Sequence, residues 1–119
     1  MKVLSIGLIA LMFIAAGVMH FVKPKLFAAI VPPFLPWPIA LVYLSGVAEV
    51  LGGIGVLVPG LRVWAGWWLI ALLIAVFPAN IYMALEPAKF GIAPVWLWLR
   101  LPLQFVLIAW VWWATQPGA

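Results

Sequence analysis

Four apolar runs of about 20 residues each constrain this chain more than any other feature of it. They cover residues 3–22, 39–58, 63–85 and 94–114. A helix rises about 1.5 Å per residue, so a run of this length crosses the ~30 Å hydrocarbon layer of a bilayer. The breaks between the runs differ sharply in composition. "KPKLFAAIVPPFLPWP" holds two lysines and five prolines, "PGLR" reads as a tight turn, and "EPAKFGIAP" combines two charges, a glycine and two prolines. Proline and glycine clusters of this kind end helices. The pattern predicts an all-α integral membrane protein, with residues 1–119 forming a single four-transmembrane-helix bundle.

Composition supports this reading. Hydrophobic residues make up 70% of the 119 and charged residues only 7%. A soluble domain of this size keeps too much of its surface in water to hide such a sequence. The first run is longer than the ~7–15 apolar residues of a signal peptide, and no A-x-A site follows it. It is read as the first crossing. The nine tryptophans fall toward run ends, as interfacial aromatic belts require: Trp37, Trp96 and Trp98 near one face, the other six near the opposite one.

The net charge of +4 comes from Lys and Arg residues scattered singly, mostly at the ends of apolar runs. That distribution suits membrane topology and headgroup contact, not a nucleic-acid stripe. Lys2, the amino terminus and Arg62 fall on one side and Lys23, Lys25 and Lys89 on the other, so the positive charges are evenly divided, and the short basic N-terminus mildly favours that end facing inward. No cysteine is present, which excludes disulfide relays, thiolate metal sites and iron–sulfur clusters within the chain.

Six polar residues lie inside the runs, and their depths agree. Measured from the face carrying the first and third loops, His20 lies ~3 Å in, Asn80 ~8 Å, Ser45 and Arg100 ~9 Å, and Glu49 and Gln104 ~15 Å. They come from four runs of alternating direction, yet all fall in one leaflet or at the midplane. The other half of the bilayer receives almost none. Ser45 and Glu49 are spaced i,i+4, as are Arg100 and Gln104, so each pair shares a helix face. Pro78 and Pro102 sit at the same level, and each frees the carbonyl four residues before it, at Ile74 and Trp98. These features predict a polar pocket in one leaflet, lidded by the proline-rich first loop. A buried carboxylate needs a partner, and Arg100 is the only other charge deep inside a run. A Glu49–Arg100 pair is therefore expected, tied in by Gln104, Ser45 and Asn80.

Plainer readings stand beside this one. An ion pair inside a bundle can simply fix which helices meet. A histidine at the depth of His20 is commonly an interfacial residue. One histidine is too few for bis-histidine haem ligation, and a helical metal site wants more ligands, so no metal is expected. Gly46, Gly52, Gly53 and Gly55 read as helix packing.

"AAGVMHFVKP" closing the first run, "SGVAEVLGGIGVLVP" forming the second, "VFPANIYMAL" and "RLPLQ" together resemble the DoxX family of small four-helix membrane proteins over nearly the whole chain. The resemblance implies a bacterial inner-membrane protein related to subunits of a thiosulfate:quinone oxidoreductase and to accessory proteins near redox enzymes. It also implies Glu49, His20, Asn80, Arg100 and Gln104 as pocket residues, with no catalytic residue carried over. The expected function is a binding or accessory protein whose ligand-binding residues are Glu49, Arg100, Gln104, Asn80, Ser45 and His20. It would hold a quinone- or lipid-like molecule, with a quinone as the one cofactor in view. The expected partners are the lipid bilayer, a membrane protein and a second copy of the chain, not nucleic acid. A membrane subunit of a quinone-linked oxidoreductase, or a small transporter or proton pathway, is the alternative.

Overall fold

The computed structural model describes residues 2–29, 31–86 and 93–117, with the side chains of Pro94 and Leu97 left aside. The expected third loop and Lys89 lie largely or wholly outside the described residues. Among them the chain is all helical: α1 (Lys2–Val22), α2 (Pro24–Ala28), α3 (Pro38–Leu57), α4 (Arg62–Ala75), α5 (Phe77–Leu85) and α6 (Pro94–Thr115). The first-loop helix α2 was not expected; Pro24 at its first position suits a helix start. The third apolar run is divided at Val76 into α4 and α5, two residues ahead of Pro78. A proline tolerated in a helix's first turn starts a new segment more easily than it continues an old one.

Among the described residues, three stretches are long and apolar enough to cross a membrane: Lys2–Val22, Pro38–Leu57 and Arg62–Leu85. That is consistent with a membrane protein. Their outward residues are themselves apolar, with Leu4, Leu11, Leu44, Leu51 and Ile74 all well exposed. Helices apolar on every side belong in lipid or in the middle of a large core. α6 matches them in length at 22 residues and carries Arg100, Pro102 and Gln104 within its apolar sequence.

The long helices form a ring. α1 packs on α3, α3 on α4, α4 and α5 on α6, and α6 closes back on α1. The most extensive of these contacts is α1 with α3, and small residues explain it. A Cβ placed on Gly17 would meet the Gly46 carbonyl oxygen at 2.7 Å, and one on Gly46 would meet the Gly17 oxygen at 2.9 Å. Seven residues away on each helix, Gly53 stands against Ala10 in the same manner, its Cβ position 3.1 Å from the Ala10 oxygen. Lipid offers no hydrophobic drive for helix association, so close backbone approach of this kind supplies it.

The apolar core occupies one half of the ring. Ile6, Ile9 and Phe13 of α1, Val56 of α3, Leu69, Ile70 and Leu73 of α4, and Val111 of α6 pack together there. The polar residues singled out in the sequence lie toward the other half.

Candidate functional site

Two polar clusters form in that second half, one on the α1–α3 side and one on the α4–α5–α6 side. In the first, Glu49 and His20 are each only 8% exposed, and His20 Nδ1 lies 3.7 Å from Glu49 Oε2. The Gly17–Gly46 contact brings them together: the Cβ position of Gly46 is 2.8 Å from His20 Cβ. His20 Nδ1 also lies 2.6 Å from the Ala16 carbonyl oxygen one turn back. The Phe27 ring of α2 stacks on the imidazole at 4.0 Å between centroids. The first loop thus contacts this cluster through Phe27. Ser45, one turn before Glu49, is half-buried, and its Oγ and Glu49 Oε2 are both buried without a hydrogen bond among the described residues.

The second cluster centres on Gln104, which is 1% exposed. Its Oε1 accepts from Arg100 Nη1 at 2.9 Å and from Asn80 Nδ2 at 3.3 Å, while its Nε2 donates to the Leu73 carbonyl. One amide thus joins α4, α5 and α6. The i,i+4 spacing of Arg100 and Gln104 makes their bond local to α6.

The structure corrects the expected charge pair. Glu49 faces His20, Arg100 is bound to Gln104, and no Glu49–Arg100 ion pair exists among the described residues. The reason is the ring order: α3 and α6 are separated by α4 on one side and α1 on the other. Depth alone cannot distinguish adjacent from diagonal helices. The Gln104 amide takes a carbonyl that was not among the two expected to be freed by proline. The carbonyl captured by a side chain is that of Leu73, in the last turn of α4 ahead of the break, not that of Ile74 or Trp98. Carbonyls in a last helical turn lack intrahelical partners.

Two features escaped sequence reasoning. Trp68, expected to serve only the belt, donates its indole N–H to the Ala48 carbonyl at 2.8 Å, tying α4 to α3. Residue 52, one turn on from Ala48, is a glycine, and a Cβ there would meet Trp68 Cδ1 at 2.9 Å. The missing side chain lets the indole reach the α3 backbone. The opposite end of the bundle also carries polar groups, because Lys2, Arg62, Thr115 and Gln116 share a cleft there. All four lie just outside the apolar runs 3–22, 63–85 and 94–114, at helix ends, and so were not among the six counted within them.

Among the described residues no group of three or more His, Asp or Glu side chains is placed to hold a metal ion. The chemistry open to the first cluster is proton acceptance and hydrogen bonding by a carboxylate, a hydroxyl and an imidazole. The second cluster's hydrogen bonds are largely spent within the protein.

A protein-family model described as "Domain of unknown function (DUF8561)" matches residues 9–115. No curated protein and no solved structure matches the chain. The DoxX resemblance is thereby corrected, and what it implied about relatives and bacterial origin goes with it. Its most specific element, the glycines around Glu49, consists largely of positions where α3 packs closely on α1 and α4. Tightly packed membrane helices of many kinds need small residues there. The chain belongs to the DUF8561 family.

Proposed function

We propose that this chain is an integral membrane binding protein of four crossings, with α6 the fourth. Its polar half holds a small amphipathic molecule, quinol- or lipid-like, for use by a membrane partner. α6 fits a crossing in length, and its Leu99, Leu103, Phe105 and Val106 are exposed while Gln104 is buried toward α4 and α5. Polar intramembrane residues turned to the bundle interior are the rule for such helices.

The observation that carries the binding reading is that Glu49 Oε2 and Ser45 Oγ are both buried and neither makes a hydrogen bond among the described residues, the His20 ring lying 3.7 Å from Oε2. An unsatisfied buried polar group costs about 1–3 kcal/mol, more if charged. A hydroxyl or amine donor on a ligand would satisfy both, one turn apart on α3. The molecule's head would sit at Ser45 and Glu49 beneath the Phe27–His20 stack, and its tail would leave between helices. The Asn80–Gln104–Arg100 cluster would form the far polar wall.

The test is a mass-spectrometric inventory of small molecules extracted from the purified wild type, Glu49→Gln and Ser45→Ala, each compared with bulk lipid. A molecule enriched in wild type and depleted in both variants is expected. Identical inventories from three folded proteins would sink the proposal.

A further inference from the structure

One acidic and one basic residue stand well inside the long helices, Glu49 of α3 and Arg100 of α6, and they are not paired with each other. Arg100 Nη1 donates to Gln104 Oε1 at 2.9 Å. That leaves Nε and Nη2, the side-on fork of the guanidinium, without a partner among the described residues. An arginine about 9 Å from a membrane face commonly reaches back to the headgroups. This one is held by Gln104, one turn further along α6, and Gln104 is itself fixed by Asn80 and the Leu73 carbonyl. No side-chain carboxylate answers the cation. The chain has two acidic residues. Glu86 is exposed at the end of α5, and Glu49 faces His20.

Glu49 has the opposite need. Its Oε2 and the neighbouring Ser45 Oγ are buried and accept no hydrogen bond among the described residues. The His20 ring, 3.7 Å away, directs its Nδ1 proton to the Ala16 carbonyl at 2.6 Å. One wall of the polar half thus calls for N–H donors and a positive charge, and the other for an anion. A quinol serves the first wall only. A purely anionic head serves the second and brings a like charge toward Glu49. A primary ammonium two carbons from a phosphate serves both: the ammonium offers three N–H donors, and the guanidinium fork matches phosphate oxygens. Its zero net charge suits a site surrounded by apolar helices.

We infer that the polar half takes the zwitterionic head of an aminophospholipid of the phosphatidylethanolamine class, with the ammonium on Glu49 and Ser45 and the phosphate on Arg100. The inference rests on the binding reading above and narrows it to one chemical class.

The test is native mass spectrometry of the full chain in detergent, titrated with phosphatidylethanolamine, phosphatidylcholine and phosphatidylglycerol of the same acyl chains. Choline keeps the phosphate and the net charge but has no N–H to donate, so the first two lipids isolate the ammonium contact. Wild type is expected to bind phosphatidylethanolamine about tenfold more tightly than phosphatidylcholine, the order of one hydrogen bond to a charged group. Glu49→Gln should remove most of that preference while leaving phosphatidylcholine binding near the wild-type value. Arg100→Gln should weaken both lipids about tenfold and keep their ratio, with Arg100→Lys recovering much of the loss. If Arg100→Gln does not fold, the wild-type preference and its loss in Glu49→Gln carry the test. Equal binding of phosphatidylethanolamine and phosphatidylcholine, tighter binding of phosphatidylglycerol, or an undiminished preference in Glu49→Gln would overturn the inference. So would displacement of the lipid by an equal concentration of free phosphoethanolamine, which would make this a site for the soluble zwitterion. None of these results touches the broader binding reading, which falls only if the small-molecule inventories of wild type, Glu49→Gln and Ser45→Ala are identical.

Discussion

His20 Nδ1 lies 3.7 Å from Glu49 Oε2 but only 2.6 Å from the Ala16 carbonyl oxygen. A carbonyl oxygen can only accept, so Nδ1 carries a proton whatever the charge of the ring. In the neutral imidazole this leaves Nε2 as the unprotonated nitrogen. Nitrogen-15 NMR of the labelled protein in detergent is expected to show a protonated Nδ1 at every pH where the bundle is folded. Detection of the Nε2–H tautomer would contradict this geometry.

Gly46 sets the distance between those two residues. A methyl group there would meet His20 Cβ at 2.8 Å and the Gly17 oxygen at 2.9 Å, and the latter is backbone that cannot swing aside. Gly46→Ala is expected to destabilise the protein by about 1–3 kcal/mol, the usual penalty of overpacking. The control is Gly7→Ala, where no atom lies within 4 Å of the added carbon and no comparable loss is expected. Reversible unfolding in mixed micelles would measure both. Equal stabilities would show that α1 and α3 separate at little cost.

Gln104 is the junction of three helices, so its loss is felt by several groups at once. Gln104→Leu keeps the volume but leaves the Leu73 carbonyl and the Asn80 amide without this partner. A loss of about 1–3 kcal/mol is expected from stranding such buried groups. In a double-mutant cycle with Asn80→Ala, the coupling should be near the ~0.6 kcal/mol average for hydrogen bonds between membrane helices. Additive single effects would remove Asn80 from the network.

Trp68 and Trp64 both lie on α4 and both are exposed, yet only Trp68 has a backbone partner on α3. Trp68→Phe should therefore cost about 0.5–1.5 kcal/mol of stability for the lost hydrogen bond. Trp64→Phe should leave unfolding in the same micelles nearly unchanged. If the two variants lose equally, the indole serves the interface and not the helix pair.

The helical class and most helix positions were legible because apolar run length reports the thickness of hydrocarbon directly. The expected run 39–58 and the observed α3, Pro38–Leu57, differ by one residue at each end. The buried positions of Glu49, His20, Asn80 and Gln104 were legible for a related reason: polar groups inside such runs must turn away from lipid. Their partners were not. Depth is a property of one helix, whereas pairing depends on which helices are neighbours. Here neighbours are decided by small residues such as Gly17 and Gly46, which carry no charge and advertise no partner. The break at Val76 was half legible. Pro78 announced it, but the carbonyl taken by Gln104 belongs to Leu73, because the break falls before the proline. The Lys2–Arg62 cleft was illegible for the opposite reason: residues at run ends were read as topology signals and left out of the search for a site.

The Gly17–Gly46 contact also bears on the order of assembly. It joins the first two long helices, and both His20 and Glu49 lie on the hairpin those helices make. The pair is therefore complete once the chain has been synthesised as far as Leu57. α4, α5 and α6 then dock against a platform that already carries its buried carboxylate and imidazole, and they need not find that pairing for themselves.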